Sequence, residues 1–226
     1  VDLVAHEIGH QLGMSHTFNS NSGKCLRNRW ASAAFEPGAG TTIMGYAGLC
    51  GADDITNDSD VMFHSYSFEE AESVVWLGSG SQCGVVAEQV NSPPTTDAGQ
   101  DVFVPARTPI VIEGSGLDSD GDDLTYSWEQ RDLGAAAALA AADDGTIPLF
   151  RVYPPQYSVR RYLPKLAKVV SGDFDVYEKI PSKSRTMNMV LTSRDERGGV
   201  ASDSVKIEVI GPPLTGRTFS LAEPNV

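Results

Sequence analysis

The eleven residues from His6 to His16 read H-E-I-G-H-Q-L-G-M-S-H, and no other stretch constrains the chain so tightly. Two histidines four apart on a helix, His6 and His10, stand one above the other on one face, so both imidazoles reach one ion. Glu7 lies beside the first of them, pointed toward the place a metal-bound water would occupy. A helix cannot supply a third ligand from the same face, so the chain must turn back. Gly13 is placed for that turn, because a residue without a Cβ readily takes the left-handed conformation that ends a helix sharply. His16 then completes three neutral imidazoles around zinc with a fourth position left for water, the arrangement of a catalytic rather than a structural site. The bland alternative is a helix with solvent-facing histidines. In either case Val1, Val4, Leu3, Ile8 and Leu12 are expected to form its buried stripe.

Further along, Thr41-Thr42-Ile43-Met44-Gly45-Tyr46 holds a methionine in a tight turn. Together with H-E-x-x-H-x-x-G-x-x-H, this segment resembles the metzincin zinc metalloproteases, and most closely their reprolysin (adamalysin)-like branch. The resemblance covers about residues 1–85. It implies that His6, His10 and His16 bind one catalytic Zn²⁺ and that Glu7 is the general base. It also makes Met44 the Met-turn, an apolar floor beneath the imidazoles. In some branches a tyrosine two residues past that methionine reaches the zinc or the developing oxyanion. Tyr46 is thus either a catalytic helper or a pocket-wall aromatic. The branch further implies a disulfide between Cys25 and Cys50, with Cys83 paired to a cysteine upstream of the zinc helix.

From composition alone the cysteines stay open. Three of them, an odd number, imply a lone thiol or a partner elsewhere if the protein is secreted, and reduced buried thiols if it is not. The formal net charge of −13 argues against nucleic acid or an anionic membrane surface as partner. No apolar run approaches the roughly 20 residues of a membrane-spanning helix. The chain opens inside the zinc helix, which leads us to expect further domains of the same chain on both sides and a piece that alone is weakly active or inactive.

Asp53, Asp54, Asp58 and Asp60 lie in one loop and match no calcium-ligand spacing, so a solvated loop is the expectation there; His64 is expected to be structural. Ser67, with Glu70 three residues on, forms a capping-box pattern that predicts a helix with Phe68, Ala71, Val74 and Val75 on its buried side and Gly78 at its end. This helix would close a catalytic domain over residues 1–85, followed by a linker over 86–96.

Beyond the linker the pattern turns to strands: Asp101–Val104, Pro109–Glu113, a strand from Leu124 that alternates Leu124, Tyr126 and Trp128 with Thr125 and Ser127, and a late hairpin. The hairpin pairs Thr186–Ser193 with Ala201–Ile210 through Asp195-Glu-Arg-Gly-Gly. Short strands around one buried tryptophan suggest an immunoglobulin-like sandwich. The stretch D-S-D-G-D-D-L-T-Y-S-W resembles PKD-type modules, common appendages of secreted bacterial enzymes. Asp118, Asp120 and Asp122 imitate the start of an EF-hand with Glu129 at its twelfth position, but Asp123 stands where Gly is needed. A candidate Ca²⁺ site and a turn capped by its own aspartates are both open there, the turn being favoured. Ala135–Ala142 reads as a helical turn or a low-complexity loop, inside an insertion around 133–184.

The expected fold class is therefore an α+β fragment of a metzincin catalytic domain (zinc helix, Met-turn, C-terminal helix) over 1–85. An all-β, PKD/immunoglobulin-like sandwich over 97–211 follows it, and 212–226 is a linker to a further domain. The expected function is that of a secreted, extracellular zinc metalloendopeptidase acting on protein or peptide substrates. Two other readings are a non-catalytic adhesion module carrying a relict zinc helix and, fitting less well, a small-molecule zinc hydrolase.

Overall fold

The computed structural model describes residues 2–84 and 91–211; residues 86–90 of the expected 86–96 linker and all of 212–226 lie outside them. Among the described residues the chain is mixed α/β and mostly sheet, in the order α1 (Asp2–Gln11), α2 (Ser65–Val75), β1 (Thr95–Asp97), β2 (Val102–Pro105), β3 (Ile110–Glu113), β4 (Ser115–Leu117), β5 (Thr125–Gln130), β6 (Arg160–Leu163), α3 (Leu166–Ser171), β7 (Arg185–Arg194) and β8 (Val200–Ile210).

Helix α1 ends as Gly13 demands. Gly13 has φ +87°, its N–H donates to the His10 carbonyl at 3.1 Å, and the Met14 N–H donates to the Gly9 carbonyl at 2.9 Å. This pair of bonds is a Schellman motif, which satisfies the last carbonyls of the helix and reverses the chain. The expected apolar stripe of α1 is not buried: Leu3, Val4 and Ile8 are 68%, 64% and 52% exposed. The face that packs is the small one. Gly9 lies so close to Met44 that a Cβ would come within 2.5 Å of its sulfur, while Ala5 and Leu12 are partly buried beside Met14, Ile43 and Met44.

Helix α2 begins three residues earlier than the capping box predicts. Its N-cap is His64, whose Nδ1 accepts the Tyr66 N–H at 3.2 Å. Ser67 is buried inside the first turn, and Glu70 spends its carboxylate on the backbone N–H and hydroxyl of Ser15, at 2.8 and 2.6 Å. The pattern was right in letters and wrong in partners, because a tertiary contact outbids the local cap. Phe68, Ala71, Val74 and Val75 are half-buried, and the helix closes at Trp76, ahead of Gly78.

The larger sheet has the order β2-β8-β7-β5, with β2 parallel to β8 and the other pairs antiparallel. The late hairpin forms as expected, Met189 opposite Val205, its turn closed by Asp195 accepting the N–H groups of Arg197 and Gly199. The β3–β6 pair contributes Ile110, Ile112 and Leu163 to the same core as Trp128, Met187, Leu191 and Ile207, so it lies as a second layer on that sheet. Trp128 also donates its indole N–H to the Val159 carbonyl at 2.7 Å. The 133–184 segment is not set apart from this core: it supplies β6 and the buried Ile147, Leu149 and Phe150. Ala135–Ala142 forms no helix. It runs extended to a turn in which Ala141 N–H donates to the Ala138 carbonyl.

Strand β5 is buried on both faces. Trp128 points into the sheet core, while Ser127 and Glu129, expected to face away from it, are covered by the N-terminal part of the chain. Glu129 is wholly buried and accepts the Ser65 N–H at the start of α2 and the Ser127 hydroxyl. Nearby, Arg131 donates through two nitrogens to Glu69, both at 2.9 Å, with its guanidinium 4.8 and 4.9 Å from the Phe35 and Tyr66 ring centres. The loop expected to be solvated also docks here. Asp53 is buried, taking the Ser20 hydroxyl and the Leu139 N–H, and Asp60 pairs with Arg151 at 2.8 Å.

Candidate metal centre

The three histidines meet because each ring is fixed from behind by the backbone. His6 Nδ1 lies 2.7 Å from the Ile43 carbonyl, His10 Nδ1 2.8 Å from the Met14 carbonyl, and His16 Nδ1 2.6 Å from the Asn28 carbonyl. A carbonyl can only accept, so each ring carries its proton on Nδ1 and presents a bare lone pair on Nε2. The three Nε2 atoms converge: His16 Nε2 stands 3.3 Å from that of His6 and 3.0 Å from that of His10. Three inward lone pairs with no donor between them are an arrangement suited to a cation. Bonds of roughly 2.0–2.1 Å from tetrahedral zinc to nitrogen put the nitrogens about 3.3 Å apart, so the donor set and its spacing fit zinc. This group is one of two among the described residues that could hold a metal ion.

At His16 the electrostatics favour the neutral ring a metal needs. Burial is the main influence on His16 and lowers its pKa to about 4, assisted by the neighbouring His10 and His6, against the opposing pull of the Asn28 carbonyl and of Glu7. Glu7 is exposed and lines a cleft with His6, Ile43 and Tyr46. Tyr46 is half-buried, its ring centre 4.5 Å from that of His16 and 5.7 Å from that of His6. Burial first, and then the charge of Glu7, raise the Tyr46 phenol above its usual 10. Met44 is fully buried under α1 at Gly9, and the Gly45 N–H closes the turn on the Thr42 carbonyl at 2.8 Å.

Cys25 and Cys50 form a disulfide, both wholly buried, and among the described residues Cys83 is a free, exposed thiol. The bridge lies close to the third ligand: the Asn28 N–H donates to the Cys25 carbonyl, and the Asn28 carbonyl holds His16.

The second candidate group, Asp118, Asp120 and Asp122, is also brought together; one oxygen of each has a partner within the protein, while Asp118 Oδ2 is buried without one. Asp118 accepts the N–H groups of Asp120 and Asp122, Asp120 accepts the Ser92 N–H at 2.6 Å, and Asp122 pairs with Arg197 at 2.7 Å. This is the turn capped by its own aspartates. Glu129, the EF-hand's twelfth position by spacing, is turned toward α2 instead.

One buried acid escaped the sequence reading. Glu36, with no exposed surface, accepts the hydroxyls of Thr17 and Thr42 on one oxygen and the N–H groups of Thr41 and Thr42 on the other. Its neighbours in sequence are Pro, Gly and Ala, which read as loop. The two threonines just ahead of Met44 and the one just after His16 are the only trace of it in the sequence.

A family described as Metallo-peptidase family M12B Reprolysin-like matches residues 1–71. No curated protein matches the chain. Among solved structures, a nucleoside hydrolase-related hypothetical protein from Saccharophagus degradans, associated with carbohydrate metabolism, aligns at 15% identity and a TM-score of 0.34, over 83% of this chain and 50% of that one. The chain thus spans about half the length of that structure, and a likeness so slight carries no argument. No match to a PKD-type module accompanies these. Residues 1–71 are thus similar to the reprolysin-like metallopeptidases, and they bear a histidine group that could hold a metal ion and contain a disulfide.

Proposed function

We propose that this chain is part of a secreted zinc-dependent metalloendopeptidase, with His6, His10 and His16 as zinc ligands and Glu7 as the general base. The observation that carries this reading is the convergence of three Nε2 lone pairs, each ring held from behind by a main-chain carbonyl. When bound, zinc would supply Lewis-acid polarisation of the scissile carbonyl and lower the pKa of its water to about 7. Glu7, exposed in the cleft beside His6, accepts the proton of the attacking water and returns it to the leaving amine. Tyr46 keeps its proton at neutral pH because burial and Glu7 hold its pKa up, so its phenol is available as a hydrogen-bond donor to the developing oxyanion. The disulfide supports the extracellular part of the proposal.

The strand-rich part, with its second layer over the larger sheet and its buried Trp128, we read as an immunoglobulin-like unit following the metallopeptidase region. It braces α2 and the loops around the metal centre rather than standing apart from them.

Metal analysis and a protease assay test the reading. One tightly held zinc per chain is expected, lost in His10→Ala. Glu7→Ala keeps the zinc and loses peptide hydrolysis. A wild-type protein with no bound zinc leaves only a non-catalytic module carrying a relict helix, and undiminished hydrolysis by Glu7→Ala removes Glu7 from the mechanism.

A further inference from the structure

Glu36 is a buried carboxylate with no cationic partner within salt-bridge distance among the described residues, held instead by four hydrogen-bond donors. Burying a carboxylate is expensive unless its oxygens are fully satisfied. A carboxylate is the one side chain that accepts at both ends and donates at neither. The four donors come from two segments that the metal centre needs in register. Thr17 directly follows His16, and its N–H also donates to the Met44 carbonyl at 3.2 Å. Thr41 and Thr42 directly precede Ile43, whose carbonyl fixes His6 Nδ1. The main chain of Glu36 reinforces the link, its N–H donating to the Thr17 carbonyl and its carbonyl accepting the Asn19 N–H, both at 2.8 Å. Space for the acid is made by Gly40, where an added Cβ would stand 3.1 Å from the carboxyl carbon.

We propose that Glu36 is a positioning residue of the metal centre. It clamps the strand leaving His16 to the turn that orients His6, and so fixes the separation of two ligands carried by different segments. The inference rests on the zinc reading above and adds to it a residue that touches neither metal nor substrate. A glutamine there would present its NH₂ either to two amide N–H groups, which cannot accept, or to two threonine hydroxyls, which can turn to accept it. Glu36→Gln therefore folds with the clamp weakened, while Glu36→Ala removes it.

The test is zinc affinity of the full chain by chelator competition, with the visible spectrum of the cobalt(II)-substituted protein as a report on ligand geometry. Expected are a weakening of about 10–100-fold for Glu36→Ala, the range seen when groups orienting metal ligands are removed, a smaller loss for Glu36→Gln, and a shifted cobalt spectrum in both. Thr42→Val weakens zinc binding, and Thr42→Ser, which keeps the hydroxyl, restores it. If Glu36→Ala does not fold, Glu36→Gln and the Thr42 pair decide the matter by the same readouts. The proposal is overturned if the folded variants hold zinc within about twofold of wild type with an unchanged cobalt spectrum. If wild type itself holds no zinc, the metal reading fails first and this inference with it.

Discussion

The carboxylate of Asp53 accepts the backbone N–H of Leu139 at 2.8 Å, and with its other oxygen takes the Ser20 hydroxyl at 2.6 Å. One buried acid thus ties the segment beyond the Cys25–Cys50 bridge to the chain after His16 and to the strand-rich part. Asp53→Ala leaves two buried donors without an acceptor, each costing about 1–3 kcal/mol. The expected outcome is a lower urea midpoint for the whole protein. Two separate transitions, with only the later part of the chain unaffected, would show that the two parts unfold independently.

Gly13→Ala is expected to damage both stability and metal binding. The position has φ +87°, and a Cβ would come within 2.5 Å of Val74 Cγ2 on α2. The left-handed conformation alone costs a residue with a Cβ about 1–2 kcal/mol. Because His16 follows from this turn, zinc affinity should fall along with the thermal midpoint. An alanine variant with wild-type affinity would mean that the third ligand is placed by Asn28 and Thr17 without help from the turn.

Reduction of the disulfide is expected to act on the metal centre as well as on the fold. The bridge spans a sequence separation of 25 and encloses Asn28, whose carbonyl holds His16. Loop closure of that size stabilises a protein by about 3–4 kcal/mol. Native oxidised protein should take up one thiol label, at Cys83, and the reduced protein should bind zinc more weakly. Labelling of Cys25 or Cys50 without reduction would contradict the pairing.

Stability of the metal-free protein is expected to fall with acid in two stages. His64 accepts the Tyr66 N–H on Nδ1, so its neutral form is built into the start of α2, and burial lowers its pKa below the usual 6.5. His16 is lowered to about 4, chiefly by burial. In both, the unfolded chain takes up its proton first, so their contribution is whole above about pH 6.5 and drains away as the pH falls toward the folded values. For Asp143, burial alone would raise the pKa, but the N–H groups of Ser182 and Gly145 and the Arg185 guanidinium outweigh it and lower the pKa below 3.8. Its share is present above about pH 4 and is lost in stronger acid. Urea midpoints against pH check this, and a profile flat between about pH 7 and 5 would contradict the neutral, buried His64.

The meeting of His6, His10 and His16 and the turn between them were legible because geometry on a helix is periodic and Gly13 can do only one thing well at that place. The late hairpin was legible for a similar reason, two alternating runs joined by Asp195 and two glycines. The disulfide pairing followed from the reprolysin resemblance, not from spacing. What escaped was burial of polar residues. Asp53 read as part of a solvated loop, Glu129 as the twelfth position of a calcium loop, and Glu36 carried no reading. Yet each is sealed inside: Asp53 and Glu129 by backbone N–H groups from distant segments, Glu36 by those of nearby Thr41 and Thr42 and the hydroxyl of Thr17. Nothing local marks such an acid. Ser67 and Glu70 failed in the opposite sense, a correct local pattern overruled by Ser15 from 55 positions earlier in the chain. The exposed flank of α1 was misjudged because hydrophobicity was taken to mean burial, whereas Gly9 is the position that lets Met44 approach.

The alanine-rich run offers its main chain to the N-terminal region that bears the three histidines. Asn19 meets the Ala135 carbonyl and the Ala137 N–H, Arg29 meets the Gly134 carbonyl, and Asp53 meets the Leu139 N–H. A surface recognised through its peptide groups tolerates replacement of one small side chain by another. The run's methyl groups mostly face solvent, with Leu139 buried and Ala137 and Ala141 partly so, and the run therefore adheres through peptide groups and one anchoring side chain while its outer face stays open to change.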